Sequence, residues 1–476
     1  MYYGGTEIQL GVIRLPVDGR SKPLSRQAAE SEQRKVVSDL IRTNNQTRFY
    51  GIPVGPVKSS GRLSDRFWMF NGGLVYSDMG HPEYATPEVH NLSDVVYYEL
   101  AGRRAVDYLL RLGRLNHPTH GVFANSTDYF GKTYAYHENY SCPQNPDNLV
   151  RFMWPFLITR QTFAGAGQIL SADDKKRHPN SDWFSIAQRS LLTNTTGSER
   201  GPDVYVGEYS VFAKSNRHND QLFHFTGGDA TTMATTTKLK IGTTALVLRM
   251  MLDDWRPPVS FLITSRELAV KNLKAIALDG HFRWRYESDG YYCSALDIQR
   301  TYFDEALKKF FKDPDPDTRW TLNTWGMTLD ALESNPLSAD WLDWPNKYKV
   351  LSALKQKGWI LQELLRVDLA FHAADPERSI YQLAGGYGAD EAKIAHAMYN
   401  PPLNTRALGR SMGVRAIDAC ADRQVGLLNR VPTEISWNYV DLGLNGQRLI
   451  LPLVDRTYFE EAERFKRALE SKYPRT

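Results

Sequence analysis

The sequence predicts an α+β protein, because it contains both strand-like and helix-like patterns. Apolar and polar residues alternate from Thr6 to Ile13, which is the period of a strand with one buried face. Several later segments, the first of them Asn91 to Leu112, repeat apolar residues at helical spacing. The chain has 476 residues, 42% of them hydrophobic and 24% charged, which is typical of a globular protein larger than one small domain.

The N-terminal strand places Ile8 and Leu10 on one face and Glu7 and Gln9 on the other. A long loop is predicted from Thr47 to Asp65. The turn residues Asn71-Gly72-Gly73 then lead into a second strand, on which Tyr76 and Asp78 point the same way. Because proline cannot donate to a sheet, we expect Pro82 to end this strand before Glu83.

The helix predicted from Asn91 to Leu112 has Ser93 as its N-cap and ends at Gly113. Four further helices follow the same spacing, at residues 151–163, 238–252, 295–312 and 347–372. The alternating Asp and Pro residues of 313–317 break the chain between the last two.

A boundary is predicted at Asn400-Pro401-Pro402, which divides the chain into residues 1–400 and a small C-terminal domain, residues 401–476. Beyond the boundary the pattern predicts a helix and two short strands between 433 and 454. A final helix begins with the capping box of Thr457 and Glu460.

Charge and cysteine usage exclude several classes of protein. A formal net charge of +4 over 476 residues gives no basis for nucleic-acid binding, which needs a concentrated basic face. The three cysteines are far apart, so neither a disulfide framework nor a cysteine-rich zinc site is expected. The first residues lack the features of a signal peptide, and no apolar run approaches the roughly 20 residues of a membrane span. We therefore expect a cytoplasmic protein with no membrane or nucleic-acid partner.

Four oxygen-bearing side chains suggest a cation site: Glu7, Tyr76, Asp78 and Glu83. Oxygen ligands without thiols favour hard cations such as Mg²⁺, Mn²⁺ or Ca²⁺. Magnesium held by a few carboxylates usually accompanies phosphate groups.

Two histidines complete the candidates. His137-Glu138 is half of a zinc-protease motif, but position 141 is Ser, so a zinc protease is not expected. His224 precedes the turn Gly227-Gly228, from which it could reach a phosphate or a metal. The sequence has no P-loop, no Rossmann fingerprint and no nucleophile elbow, so any ATP site must use another scaffold.

These residues resemble, in order, the motifs of the Pup ligase and depupylase family, whose members are also called proteasome accessory factor A and deamidase of Pup. The motifs that carry the resemblance are Gly5-Thr6-Glu7, Asn71-Gly72-Gly73, Tyr76-x-Asp78, His81-Pro82-Glu83-Tyr84, His137-Glu138-Asn139-Tyr140, Ala187-Gln188-Arg189, Asp343-Trp344-Pro345, and Asn400-Pro401-Pro402 with Thr405-Arg406-Ala407.

The resemblance implies a glutamine-synthetase-like fold, in which a curved, mainly antiparallel sheet backed by helices binds ATP and Mg²⁺, with a small C-terminal domain. It also implies that Glu7, Tyr76 and Glu83 are the Mg²⁺ ligands and Asp78 the catalytic aspartate. Thr86 and Trp437 match the family's ATP contacts, and we add Arg406 and His224 as further candidates for nucleotide binding. The implied partner is a Pup-like protein modifier and its conjugates.

Three functions stay open. The spacing Asp78-x-x-His81, the Gly-Thr-Glu start, the Asp-Trp-Pro motif and the long loop before Asn71 favour a depupylase or Pup deamidase. Asp297-Ile298-Gln299-Arg300 is closer to the Pup-protein ligase, which joins the modifier's C-terminal Glu to substrate lysines. The family has a second Glu where this chain has Gln9, and an Arg where it has Leu74. These two differences motivate a third alternative, a non-catalytic nucleotide-binding homologue.

Overall fold

The computed structural model describes residues 4–14, 26–52, 66–112, 120–129, 131, 133–143, 147–193, 221–263, 265–383, 388–403, 405–422, 434–435, 437, 439–444, 447–452 and 467. In chain order its strands are β1 (Gly4–Gln9), β2 (Gly11–Arg14), β3 (Gly51–Ile52), β4 (Arg66–Met69), β5 (Leu74–Asp78), β6 (His81–Ala85), β7 (His120–Phe123), β8 (Tyr136–Cys142), β9 (Gln168–Ile169), β10 (Phe184–Ser185), β11 (Gln221–Phe225), β12 (Arg285–Glu287), β13 (Tyr292–Ser294), β14 (Glu434–Ile435), β15 (Tyr439–Leu444) and β16 (Gln447–Pro452).

The helices are α1 (Arg26–Thr47), α2 (Leu92–Leu112), α3 (Asp147–Thr159), α4 (Gln161–Ala164), α5 (Ala172–Arg177), α6 (Ala234–Leu252), α7 (Arg266–Ala277), α8 (Ala295–Phe310), α9 (Pro316–Ser334), α10 (Asp343–Gln356), α11 (Leu361–Ala370), α12 (Ile380–Leu383), α13 (Glu391–Tyr399) and α14 (Arg406–Asp422). None of the helices in the described ranges is both long and apolar enough to cross a bilayer.

The largest sheet in the described part of the chain has seven strands in the order β11-β8-β1-β6-β5-β4-β3, and every neighbouring pair is antiparallel. Helices α1 and α2 pack against this sheet. The predicted α+β class, with a mainly antiparallel sheet backed by helices, is confirmed. The predicted N-terminal strand is also confirmed, but it is divided at Leu10, after which β2 pairs with β7 in a separate two-stranded sheet.

The prediction that Pro82 ends a strand is wrong. The strand that carries Tyr76 ends at Asp78, and Met79 and Gly80, with φ of 47° and 90°, form the two-residue turn of a hairpin. Pro82 is the second residue of the returning strand β6. It accepts a hydrogen bond from the Leu10 N–H (2.9 Å), and its missing N–H costs nothing because the paired register of β1 and β6 ends at Gln9 and Glu83.

The predicted helices are present, with four differences. The segment predicted as one helix over 151–163 is two, α3 and α4, separated at Arg160. The side chain of Asn91, not of Ser93, accepts the N–H of Asp94 (2.9 Å) and caps α2. The segment predicted as one helix over 347–372 is two, α10 and α11, because the chain turns between them through Gly358, whose φ is +85°. Six helices were not predicted: α1, α5, α7, α9, α12 and α13. In α1, Val36, Val37, Leu40 and Ile41 are buried at helical spacing.

The alternation of the strands separates an apolar face of the sheet from a polar one. Ile8, Phe67, Val75, Tyr84 and Tyr136 are fully buried and join one core with apolar residues of α1 and α2. The core dictates the register, because a slip of one residue would bring the opposite set of side chains into it.

Helix α14, which follows the predicted boundary near residue 400, packs against β3 and β4. The buried Arg410 donates to the carbonyl of Gly72 at 2.9 Å. The two strands predicted between 433 and 454 are three, since β14, β15 and β16 form an antiparallel sheet. The division into residues 1–400 and 401–476 stays a prediction, and the predicted helix starting at Thr457 lies outside the described residues.

We predict that Gly102→Ala destabilises the protein. Gly102 lies where α2 crosses β6, and a Cβ atom there would stand 2.0 Å from ring atoms of the buried Tyr84. Replacing glycine with alanine stabilises a helix by about 1 kcal/mol. Overpacking against the ring of Tyr84 should destabilise the protein by about 1–3 kcal/mol. Urea unfolding should therefore show a net loss of stability.

The matched control is Asp304→Ala, which removes an exposed side chain from helix α8. It should change the free energy of unfolding by no more than about 0.5 kcal/mol. A Gly102→Ala protein as stable as the parent would mean that α2 does not rest on Tyr84.

Candidate active site

One face of the seven-stranded sheet collects the polar side chains predicted to form a site. Residues directly opposite each other on neighbouring strands share a face, as do alternate residues along a strand. Glu7 pairs with His137, Gln9 with Glu83, Glu83 with Tyr76, and Asp78 lies two residues after Tyr76. We call this the polar face, and it also includes Asn139, His224 and Arg66.

Glu7, Glu83 and His137 form a group that could hold a metal ion. One carboxylate or imidazole ligand atom from each lies within 4.8 Å of the other two. The Nδ1 atom of His137 is 3.2 Å from Glu7 Oε2, and the amide of Asn139 donates to Glu7 Oε1 at 3.2 Å. The sequence analysis placed Glu7 and Glu83 in the metal site, but left His137 without a role. Two carboxylates and an imidazole suit a hard or borderline divalent cation.

The two carboxyl groups of this metal group share one negative environment. Burial, followed by the charge of Glu7, raises the pKa of Glu83 to about 7. Burial also acts on Glu7, but the hydrogen bond and charge of His137 outweigh it and hold the pKa of Glu7 below its usual range. A divalent cation would remove this conflict, because it stabilises both carboxylates at once.

Tyr76, the third ligand implied by the family resemblance, contacts the group through Glu83. Its phenol O–H donates to Glu83 Oε1 at 2.6 Å. Burial and the neighbouring charges of Glu7 and Glu83 raise the pKa of Tyr76. Tyr76 is therefore a neutral phenol here, and its oxygen lies beside the atoms that would bind the cation.

Asp78 lies on the polar face beside the metal group but takes no part in it. Its Oδ2 atom accepts a hydrogen bond from the side-chain amide of Gln9. The side-chain carbonyl of Gln9 in turn accepts the N–H of Ala135 at 2.8 Å. The structure thus brings Asp78 together with Glu7, Tyr76 and Glu83, as the sequence analysis expected, and adds Gln9 between Asp78 and the backbone.

His224 lies on the polar face next to His137, which belongs to the metal group. Its ring is 4.8 Å from that of His137, and its Nδ1 atom is 2.6 Å from the side-chain carbonyl of Asn139. Burial, followed by the charge of His137, lowers the pKa of His224 to about 4, so the ring is neutral at pH 7. Because Asn139 uses its amide on Glu7, its carbonyl must accept from His224, so Nε2 of the neutral His224 ring carries no hydrogen and can act as an acceptor.

The remaining candidates for nucleotide binding lie in a second cluster. Thr86 follows β6, and its hydroxyl accepts the N–H of Thr6 at 2.9 Å. Arg406 forms an ion pair with Glu88 (3.1 Å), which also binds Arg410. Trp437 packs edge-on against Trp68 (4.9 Å between ring centroids) and stacks on Arg410. Trp68 pairs with Leu74, which lies two residues before Tyr76, so Trp68 is also on the polar face. The second cluster therefore borders the same face as the metal group, on the side of β4 and β5.

Two arginines of the site were missed by the sequence analysis. Arg66 pairs with Tyr76, its side chain is exposed, and within the described residues it has neither a hydrogen bond nor an ion pair. No sequence signal marked it, because it directly follows the segment from Thr47 to Asp65 that the sequence predicts to be a loop. Arg189 is buried near the carboxylates of Asp229 and Glu83, and burial lowers its pKa to about 10. The motif Ala187-Gln188-Arg189 could have identified it.

Comparisons with known proteins agree with the motifs. A family model described as Pup-ligase protein matches residues 17–440. A depupylase of Acidothermus cellulolyticus is 34% identical over 374 residues, which are 71% of this chain and 70% of that protein. A Pup-protein ligase of Actinosynnema mirum is 29% identical over 419 residues, which are 83% of this chain and 88% of that protein.

Two solved structures have the same fold. The ligase PafA in complex with the prokaryotic ubiquitin-like protein Pup matches with a TM-score of 0.80 and 25% identity, covering 99% of this chain and 92% of that chain. PafA in complex with ADP matches with a TM-score of 0.73 and 23% identity, covering 96% and 97%. The fold implied by the motifs is confirmed, whereas the relatives include both hydrolases and ligases.

We predict that Mn²⁺ binding strengthens as the pH rises through about 7. The raised pKa of Glu83 means that its carboxyl is protonated below that pH and must lose the proton to bind a cation. Above that pH the carboxylate is already charged. Calorimetric titration with Mn²⁺ between pH 6 and 8 should show this slope. Glu83→Gln should weaken binding by roughly tenfold or more and flatten the slope.

The control is Glu267→Gln, which changes an exposed glutamate on α7 and should leave both affinity and slope unchanged. A pH-independent affinity in the parent protein, or equal binding by Glu83→Gln, would remove Glu83 from the metal site.

Proposed function

Because this chain belongs to the Pup-ligase family, we propose that it is a depupylase or Pup deamidase dependent on ATP and Mg²⁺. It would hydrolyse the isopeptide bond between the C-terminal side chain of a Pup-like modifier and a substrate lysine, or the side-chain amide of the modifier itself. The observation that carries the proposal is the position of Asp78, whose carboxylate lies on the polar face beside Glu7, Glu83 and His137 without belonging to that group.

The donor set fits magnesium. Glu7, Glu83 and the neutral oxygen of Tyr76 would hold the cation, with His137 as a fourth donor at the same place. When bound, magnesium and ATP would polarise the scissile carbonyl and stabilise the negative charge that develops on its oxygen. The complex of PafA with ADP supports nucleotide binding by this fold.

The second cluster would hold the rest of the nucleotide. Trp437 is half-buried and offers a ring face or edge for the base, and Thr86 directly follows β6, the strand that carries Glu83. Arg406 already pairs with Glu88, so it would contribute indirectly, by holding the segment near Thr86. Arg66 supplies an exposed cation opposite Tyr76 on the neighbouring strand, whereas Leu74, at the position of the family's Arg, carries no charge.

Asp78 would activate the attacking group. As a general base it takes a proton from water, the water oxygen bonds to the amide carbon, and the carbon–nitrogen bond breaks as the lysine amine leaves with a proton. As a nucleophile its oxygen bonds to the amide carbon, and the carbon–nitrogen bond breaks as the lysine amine leaves with a proton taken from water. A second step, in which water hydrolyses the resulting anhydride, frees the modifier's carboxylate and restores Asp78. Both routes need a charged, positioned carboxylate that is not neutralised by the metal.

Two features support hydrolysis over ligation. One is the similarity to the depupylase of Acidothermus cellulolyticus, and the other is the set of motifs, such as Asp78-x-x-His81, that resemble the depupylase branch of the family. The competing function is supported by the likeness to PafA, a Pup ligase. One experiment separates them. The purified chain is incubated with Mg²⁺ and ATP, either with a Pup conjugate of a labelled lysine peptide or with Pup ending in Glu plus the free peptide.

Release of the peptide without matching ADP production supports the hydrolase. Conjugation of the free peptide with one ADP per bond formed identifies a ligase. No reaction in either direction, together with no calorimetric signal for ATP and Mg²⁺, identifies a non-catalytic homologue and contradicts the proposal.

We predict that Asp78→Asn lowers turnover by roughly two orders of magnitude or more, the scale typical of losing a proton-transfer group. Asparagine keeps the shape but not the charge, and the metal group is untouched, so the Kd for ATP with Mg²⁺ should barely change. Steady-state cleavage and calorimetry measure the two effects. Loss of ATP binding with unchanged turnover per bound nucleotide would make Asp78 a metal ligand instead.

We predict that Arg66→Met weakens binding of ATP with Mg²⁺ by roughly tenfold, the equivalent of one charge-assisted hydrogen bond. Methionine keeps part of the side-chain length without the charge. Mn²⁺ binding in the absence of nucleotide should not change. Arg319→Met, which removes an exposed cation from α9, is the matched control. Equal ATP affinity of the two variants would place the phosphates elsewhere.

A further inference from the structure

We propose that Gln9 is a positioning residue that holds Asp78 outside the metal group, so that the polar face binds a single divalent cation in the absence of nucleotide. The kinetic part of this inference rests on the proposed function, whereas the metal count does not. The starting point is the difference at position 9, where the family resemblance leads one to expect a second glutamate.

The orientation of the Gln9 side chain is fixed by its neighbours. Gln9 is 7% exposed, and its amide oxygen accepts the N–H of Ala135 at 2.8 Å. A backbone N–H can only donate, so the oxygen must face Ala135 and the NH₂ group must face the other way. That group donates to Oδ2 of Asp78. One side chain therefore links the catalytic carboxylate to the backbone just before β8.

This link separates Asp78 from the metal group. Gln9 is directly opposite Glu83 and two residues from Glu7, so it stands between the metal group and the end of β5. One carboxylate oxygen of Asp78 is thus bonded to a neutral donor and does not need a cation as its partner. Within the described residues, the carboxylate and imidazole atoms close enough to share an ion belong only to Glu7, Glu83 and His137.

A glutamate at position 9 would act differently. One of its oxygens could still accept the N–H of Ala135, but the other would face the Asp78 carboxylate with no hydrogen to donate. Two carboxylates at that separation cannot both stay charged unless a proton or a cation lies between them. The glutamine thus changes Asp78 from a potential ligand of a second cation into an unligated base or nucleophile.

The test counts Mn²⁺ ions on the full chain without nucleotide, by electron paramagnetic resonance and calorimetry. We expect one ion per chain in the parent protein, two in Gln9→Glu, and one again in the double variant Gln9→Glu/Asp78→Asn. Gln9→Met, which keeps the length but cannot hydrogen-bond, should still bind one Mn²⁺, because it adds no carboxylate at position 9. Its kcat for conjugate cleavage should fall by roughly tenfold or more, with little change in KM or in the Kd for ATP, as for other residues that orient a reacting group.

Two ions in the parent protein, or an unchanged count in Gln9→Glu, would overturn the separation of Asp78 from the metal. An unchanged kcat in Gln9→Met would overturn the positioning role. If Gln9→Met unfolds at a lower temperature than the parent, the inference is tested with Gln9→Glu and the double variant Gln9→Glu/Asp78→Asn, because a glutamate at position 9 can keep the hydrogen bond to Ala135. If the Mn²⁺ counts are as expected but the parent protein cleaves no conjugate, the proposed function is refuted, whereas the inference about the number of metal ions is supported.

Discussion

The polar face depends on the pairing of β1 with β6 on one side and β8 on the other. Glu7 and Gln9 come from the N-terminus, Glu83 follows the hairpin, and His137 lies more than a hundred residues away in sequence. Only the register of three antiparallel strands brings them to one face. A shift of β1 by a single residue would turn Glu7 and Gln9 into the core and bring Ile8 out, so the site and the core impose the same register.

The opposite face of β8 makes that register costly to change. Glu138 is fully buried there and accepts from Arg160 at 2.9 Å and from the hydroxyl of Tyr140 at 2.6 Å. Buried Lys240 lies over the ring of Tyr136 and donates to the carbonyl of Asp229 at 2.8 Å. Removing one partner of such a buried ion pair typically costs about 3–5 kcal/mol. The charges behind the sheet thus hold His137 and Asn139 in place on the side where chemistry would occur.

Much of this arrangement could be predicted from the sequence, because the spacing of residues within a short segment determines which side chains share one face of a strand or helix. Alternation placed Glu7 and Gln9 on one side of a strand, and helical spacing located α2 and α6. The failures have physical causes. The prediction for Pro82 was wrong because a proline is tolerated in a strand beyond the last residue that pairs with the neighbouring strand. That last pair is set by β1, more than seventy residues earlier in the chain.

Other features were beyond any local pattern. Arg66 and Tyr76 are ten positions apart, and nothing short of the strand register says that they face each other. The glutamine at position 9 could be recognised as a departure from the family, but its meaning depends on the N–H of Ala135, which fixes which end of the amide meets Asp78. His137 was dismissed as a zinc-protease fragment because its partners in the metal group, Glu7 and Glu83, lie on other strands, whereas the motif requires a second histidine one helical turn away.

Arg410 has a consequence for how the protein is made. Its buried guanidinium donates to the carbonyl of Gly72, 338 positions earlier, pairs with Glu88, and donates to the carbonyl of Trp437 at 3.0 Å. While the ribosome is still synthesising the chain, the turn after β4 and the carboxylate of Glu88 have no such cation to meet. Contacts this distant in sequence form late and slowly, after local helices are in place. The turn after β4 and the carboxylate of Glu88 therefore gain these bonds only after Arg410 has been synthesised, when most of the polypeptide already exists.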